Sequence, residues 1–386
     1  MISAKRVLFV DDEAKVLDAL RVLLRKHRCD WDMEFAEGGE QALAMLETRA
    51  FDVVVTDLRM PRVDGLTVLK HLRDHHPETM RIVLSGAPER SSALAVVPYA
   101  HQSLTKPCRL GELETVLARA FLLRELVADA DVRGVIGGIG ELPSLPRTYA
   151  CLLRVLDDES SSVADAAAII ASDIAVTAKV LQLANSPMFG GGRAVTTVLQ
   201  AIPMLGLEAL KSLTLSTAIF DARGLSPRVR IFAEDLHEHS SLIAALASEL
   251  AEEPFRRDAF AAGMLHDVGR LVLASSMPQE MDGATRLMRR PVPDAAAVPP
   301  TRHAKIGGYL LGLWGLPPSV IEAVARHHDE LTEATPPITR AVVLAEHIVD
   351  DVTDLRPSAE DVVQMRELVR ERGPKRVGPE PKERAS

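Results

Sequence analysis

The sequence predicts an α/β segment, a doubly wound parallel five-stranded sheet, followed by an all-α region. Three observations predict it. Over residues 1–125, short β-branched runs alternate with segments whose apolar residues recur at helical spacing. The run Val53-Val54-Val55-Thr56 is continuous and stops at Asp57, which suits a strand buried on both faces of a parallel sheet. From Glu141 the pattern changes to helix after helix, with no persuasive strand.

The elements follow in order. Arg6 to Val10 reads as a first strand ending in Asp11-Asp12-Glu13, and Val16 to Leu24 as a helix. Trp31 to Ala36 is a second strand and Gln41 to Leu46 a helix. Val53 to Thr56 is the third strand; Pro61 and Gly65 then force a loop before a helix from Leu66 to Leu72. Arg81 to Leu84 is a strand, a short helix follows near Ser91 to Val97, and Leu104-Thr105 precedes Lys106-Pro107. A helix from Leu110 is expected to run until Gly134, Gly137, Gly138 and Gly140 end it, residues 126–140 forming a helical, Gly-rich linker.

Ligands of an open parallel sheet bind beyond the carboxyl ends of its strands. Asp11 and Asp12, Asp57, Ser85 and Lys106 all fall there. Crowded carboxylates repel unless a cation joins them, and carboxylates with water suit Mg²⁺. A lysine and a hydroxyl at the same mouth could hold a phosphoryl group. Taken singly, each of these residues fits a cap, a turn or a solvated charge. Their recurrence at matching strand ends points instead to phosphorylation of an aspartate.

VDDE at Val10 to Glu13, TDLRMPRVDG at Thr56 to Gly65, LSG at Leu84 to Gly86 and TKP at Thr105 to Pro107 together resemble a response-regulator receiver domain over residues 1–125. The resemblance implies a flavodoxin-like fold, with Asp57 as phosphoacceptor for a cognate histidine kinase. It implies Mg²⁺ bound by Asp12, Asp57 and the Arg59 backbone carbonyl, with Asp11 acting mostly through water. Ser85 and Lys106 would meet the phosphoryl oxygens. One position departs: the aromatic residue usual three places before the lysine is Ser103.

In the helical region, Ser162 and Ser172-Asp173 are plausible N-caps, Asn185 suits a left-handed C-cap, and Gly190-Gly191-Gly192 is a turn. Trp314 reads as a core anchor, Pro278 to Pro300 as loop, and residues 366–386, rich in Pro and charge, as a disordered tail. ELPSLP at Glu141, LANSPMFG at Leu183, QAIPMLGLEALKSL at Gln200, AFAAGMLHDVGRLVL at Ala259, HAKIGGYLLGLWGLP at His303 and the pair His327-His328 resemble an HDOD domain over residues 141–350. That family is an all-helical relative of HD phosphohydrolases, in which many members serve as signalling modules.

His239, His266, Asp267, His303, His327 and His328 lie in the order that resemblance gives to metal-dependent HD enzymes. Imidazole with carboxylate suits an Fe, Mn or Zn type of ion, which would polarise a phosphodiester and activate water. Three departures count against hydrolysis. Glu346 stands where an aspartate is usual, Arg270 where a lysine is, and no Gly-Tyr-Pro loop follows the paired histidines.

At 386 residues and 41.9 kDa two domains are expected. The net charge of −9 and the lack of a basic recognition helix argue against direct binding to nucleic acid, and no apolar run is long enough to span a membrane. Cys29, Cys108 and Cys151 show no paired spacing, which fits a cytoplasmic setting. The first expectation is a response regulator whose phosphorylation controls a non-catalytic helical module, with an unnamed downstream protein and a homodimer as candidate partners. The alternative is a phospho-regulated, metal-dependent phosphohydrolase acting on a cyclic dinucleotide or other phosphodiester.

Overall fold

The computed structural model describes residues 5–86, 98–108, 110–139, 146–158, 161–186, 194–207, 227–276 and 301–352, together with 96, 142, 210, 365, 367 and 368. Five strands form one parallel sheet in the order β2-β1-β3-β4-β5. They are β1 (Lys5–Asp11), β2 (Trp31–Glu37), β3 (Val53–Thr56), β4 (Met80–Ser85) and β5 (Gln102–Thr105). Three helices connect the first four: α1 (Ala14–Leu23), α2 (Gly39–Thr48) and α3 (Gly65–His75). Asp64 caps α3, its carboxylate accepting from the Thr67 N–H at 2.8 Å.

Side chains alternate across the strands, so both faces must be covered. Val7, Phe9, Val53 and Val55 pack with Leu17 and Leu20 of α1 and with Leu113 and Leu117 of α4 (Leu110–Leu126). Leu8, Val10 and Val54 pack on the other side with Ala42 and Leu46 of α2 and Val68 and Leu72 of α3. The first of these cores does not stop at the sheet. It continues through Phe121 and Leu123 into the helical region, so the two parts share one apolar interior.

The chain after the sheet differs from expectation. α4 ends at Leu126 instead of reaching the glycines, and a second helix, α5 (Ala130–Gly138), begins after Asp129, whose carboxylate caps it. Gly134, Gly137 and Gly138 are therefore inside a helix. The cause is close packing: a Cβ on Gly137 would lie 2.0 Å from the Pro77 carbonyl oxygen. Arg81, only 1% exposed, donates from Nη2 to the Gly137 carbonyl at 2.5 Å and from Nε to the Tyr99 carbonyl at 2.6 Å. His101 Nδ1 accepts the Arg81 N–H at 3.0 Å, and its Nε2 lies 3.0 Å from the Gly137 carbonyl. A carbonyl can only accept, so Nε2 carries the proton and the ring is neutral.

The helical region contains α6 (Pro146–Asp157), α7 (Val163–Ala171), α8 (Ile174–Asn185), α9 (Val198–Leu205), α10 (Pro227–Leu250), α11 (Arg256–Leu265), α12 (Val268–Ser276), α13 (Thr301–Leu313), α14 (Pro318–Arg326) and α15 (Pro337–Val352). Ser162 and Asp165 form a reciprocal capping box on α7, Ser172 ends that helix, and Asp173 caps α8. Asn185 is not a left-handed cap. Its amide donates to the Leu181 and Val195 carbonyls, both at 2.8 Å, and its oxygen accepts the Val195 N–H, which clamps the returning chain; Ser186 beyond it is extended. Trp314 is buried, with the Lys179 ammonium 5.2 Å from its ring centre.

Among the described residues no helix is long and apolar enough to cross a membrane, and no disulfide joins Cys29, Cys108 and Cys151. The expected helix at Ser91 to Val97 (apart from Val96), the Gly190 turn, the Pro278 to Pro300 loop and the tail from 369 onward lie outside the described residues.

Candidate functional site: two ligand clusters

The first cluster sits where the parallel sheet ends. Asp11 is the last residue of β1 and is buried, Asp12 next to it is exposed, and Asp57 follows β3. Carboxylate oxygens of all three lie within 4.8 Å of one another. Lys106, one residue past β5, sets its ammonium 2.6 Å from Asp11 Oδ2 and 3.2 Å from Asp57 Oδ2. The Leu58 N–H donates to Asp57 Oδ1 at 2.8 Å and the Glu13 N–H to Asp11 Oδ1 at 3.0 Å. Burial raises the Asp57 pKa above the usual carboxylate value, against the pull of Lys106. Burial also works against the Lys106 charge, yet its bonds to Asp11 and Asp57 win and raise its pKa.

Arg59 lies two residues past Asp57 in the exposed loop. Ser85 is the last residue of β4, its backbone opposite Thr105; its side chain is outside the described set. Ser103, the position that departs from the receiver pattern, is 5% exposed, and its hydroxyl lies 2.5 Å from that of Ser186.

The second cluster is inside the helices. His239 comes from α10, His266 and Asp267 from the junction of α11 and α12, His303 from α13, His327 and His328 from the end of α14, and Glu346 from α15. Residues more than 100 positions apart meet here. His266 Nε2 is 2.8 Å from Glu346 Oε1 and 3.4 Å from Asp267 Oδ2, and His239 Nε2 is 3.4 Å from Glu346 Oε1. On the other side of Asp267, His303 Nε2 is 2.8 Å from Oδ1, 3.2 Å from His327 Nε2 and 3.1 Å from His328 Nε2. The longer side chain of Glu346 thus still reaches the group.

The local backbone explains how the rings point. Nδ1 of His266 lies 2.7 Å from the Gly263 carbonyl, and Nδ1 of His327 is 2.7 Å from that of Val324. Each Nδ1 donates to the carbonyl three residues back, which leaves Nε2 facing the cluster. Despite the short approaches, His266 Nε2 and both Asp267 oxygens are buried without a partner in hydrogen-bond geometry among the described residues. Converging donors with orphaned lone pairs fit a cation between them. Burial lowers the pKa of His303, His327 and His328 to about 4, 3 and 4, which leaves them neutral. Burial also disfavours charge on His266, but Asp267 and Glu346 outweigh it and raise its pKa to about 10, so without a cation Nε2 keeps a proton that a bound metal ion would displace.

Arg270 is part of this cluster, its Nε 2.9 Å from Asp267 Oδ1. The sequence marked it only as an unusual cation after the His-Asp pair. Its spacing of three from Asp267, one helical turn, was the available signal. The Arg81–His101–Gly137 clamp was missed outright. Its signal was a charged residue inside an otherwise apolar strand.

Comparison with known proteins agrees with both halves. The family described as response regulator receiver domain matches residues 7–118, and the HDOD domain family matches residues 142–330. An uncharacterized protein of Treponema pallidum (strain Nichols) is 24% identical over 196 residues, 50% of this chain and 38% of that protein. Response regulator MprA of Mycobacterium sp. (strain KMS) is 32% identical over 167 residues, 39% of this chain and 71% of MprA. Among solved structures, the MmoQ response regulator of Methylococcus capsulatus (strain Bath) is 28% identical with a TM-score of 0.46, covering 59% of this chain and 93% of that one. The chain spans about a third of the length of the leading curated relatives. A receiver sheet with its acidic mouth, followed by helices that match a second family model, places this chain in the response-regulator family, with a receiver domain joined to an HDOD output domain.

Proposed function

We propose that Asp57 accepts a phosphoryl group from a histidine kinase and that this controls the HDOD domain as a signalling module. The observation that carries the reading is Lys106 bridging Asp11 and Asp57 among three carboxylates at the strand ends. In this reading Asp11, Asp12, Asp57 and the Arg59 carbonyl hold Mg²⁺, which when bound offsets charge on the phosphoryl oxygens. An Asp57 carboxylate oxygen attacks phosphorus, the bond from phosphorus to the donor histidine breaks, and Lys106 moves towards the new phosphoryl oxygens. Ser85 closes from the β4 end. The domains are taken as 1–125 for the receiver, 126–140 for the connector, 141–350 for the HDOD domain and 366–386 for the tail.

A small-molecule phosphodonor with Mg²⁺ tests this. One phosphoryl group per chain is expected, lost in Asp57→Asn and lost with chelator. Equal labelling of Asp57→Asn would sink the assignment.

A second reading is favoured by the orphaned atoms of His266 and Asp267. His239, His266, Asp267 and Glu346 would hold one transition metal ion of the Fe, Mn or Zn type, and His303, His327 and His328 offer donors beside it. Such an ion would supply Lewis acidity towards a phosphodiester. Asp267 ties the two donor groups together, and Arg270 neutralises its remaining charge. Metal content of protein purified without chelator checks this; no metal, or metal unchanged in Asp267→Asn, leaves the domain as an interaction module.

A further inference from the structure

We propose that α13 carries the state of the receiver to the His/Asp cluster, as one rod held by β5 at its C-terminal end and bearing His303 near its N-terminal end. The inference rests on Asp57 phosphorylation as proposed above and names how it reaches the second domain.

The receiver end of the rod is gripped by Gln102. Its side-chain amide donates to the carbonyls of Gly312 at 3.1 Å and Leu313 at 3.2 Å. These belong to the last turn of α13, where carbonyls have no partner within the helix; that of Gly312 also accepts the Gly315 N–H at 3.1 Å. Gln102 therefore completes a helix of the other domain. Next to it, Ser103 meets Ser186 at the end of α8. α4 closes the same contact: a Cβ on Gly312 would lie 2.1 Å from Leu123 Cδ2, so α13 and α4 touch without clearance.

β5 is short and lies at the sheet edge, paired among the described residues only with β4. Gln102 starts it and Lys106 follows its last residue, a separation of about 13 Å at the usual rise of an extended strand. Lys106 is shared between Asp11 and Asp57, and a phosphoryl group on Asp57 offers it new oxygens. Re-aiming Lys106 pulls on a strand whose other end holds α13.

At the far end the rod cannot move alone. His303 and Gly312 are nine residues apart, about 14 Å along a helix. A Cβ on Gly269 would lie 1.9 Å from the His303 carbonyl oxygen, and one on Gly307 would lie 3.1 Å from both Val268 and Val324. α13 is thus seated against α12 and α14, whose ends carry Asp267, His327 and His328. A shift of α13 changes the approaches of His303 Nε2 to Asp267, His327 and His328, now 2.8, 3.2 and 3.1 Å. Close-packed interiors transmit such shifts instead of absorbing them.

The test uses the full chain with Mg²⁺ and beryllofluoride as the phosphoryl mimic. Loading at Asp57 is read by fluorine NMR, with Asp57→Asn as blank. Hydrogen exchange of the α13 amides is then compared with and without the mimic, and cobalt(II) affinity of the cluster is measured in parallel. Loading should change α13 exchange and the cobalt dissociation constant by about fivefold or more, the range of ordinary allosteric coupling. By linkage, cobalt should shift beryllofluoride affinity by the same factor. The Gln102→Ala/Ser103→Ala double variant should load normally and show neither response. Loaded wild type with unchanged α13 exchange overturns the coupling alone, as does a double variant that responds like wild type. Absence of loading overturns the phosphorylation reading and the coupling with it. Cobalt that fails to bind removes the metal reading, while the exchange result still decides the coupling.

Discussion

The two clusters are built from similar residue types in opposite ways. The receiver cluster lies at the rim of a sheet, with Asp12 exposed and Lys106 half-buried. Its donors are placed by the parallel register of neighbouring strands, so short local motifs suffice to build it. The helical cluster is interior: His266 and Asp267 are fully buried, and the six helices α10 to α15 must pack together before the whole donor set meets. The first is open to solvent, while the second holds its charges out of water. A rim site tolerates empty and filled states. A buried one needs compensation at all times, which Arg270 and the acid–imidazole contacts supply.

That contrast can be broken by exchanging losses. Asp57→Asn should remove phosphoryl uptake completely and leave the metal content of the helical cluster unchanged. Asp267→Asn should do the reverse, lowering metal affinity by more than about 100-fold, beyond what an outer-sphere change costs. Paired phosphoryl-labelling and metal analyses would expose any crossover. Next in size is Arg81→Ala, which leaves the buried Tyr99 carbonyl without its Arg81 donor and the Gly137 carbonyl with His101 alone. A loss of about 3–5 kcal/mol is expected from urea unfolding, since a buried hydrogen-bonded cation is deleted.

The pH dependence of the same clamp sharpens the comparison. Burial, then Arg81, holds the His101 pKa well below its usual value. Below about pH 6.5 the unfolded chain takes up this proton and the folded chain does not, so stability falls as pH falls. His101→Asn should flatten that decline by up to about 1.4 kcal/mol per pH unit relative to wild type, with no difference in slope above pH 7. Parallel slopes between pH 5 and 6.5 would show that His101 is protonated in the folded protein. The smallest effect is expected at Ser162→Ala, about 1 kcal/mol from loss of the capping box on α7, read as a lowered thermal midpoint.

These differences also set what the sequence reveals. The sheet was legible because strand ends announce themselves locally: Val53 to Thr56 stops at Asp57, and the structure places β3 over the same residues. The order of the histidines was legible through family resemblance, but their geometry was not. Nothing local to His303 says that it meets Asp267, because α13 and α12 come together through Gly269 and Gly307. The connector misled for a related reason. Glycines at 134, 137 and 138 look like flexibility in isolation, and only the Pro77 carbonyl pressed against Gly137 shows that they are there for contact.

The arginine clamp has a practical consequence for anyone splicing this protein. A foreign receiver joined at Leu126 would arrive without Arg81 and His101, and the Gly137 carbonyl of the retained connector would meet neither. The seam that keeps this clamp whole falls after Gly138, with Arg81, His101 and α5 travelling as one inheritable cassette.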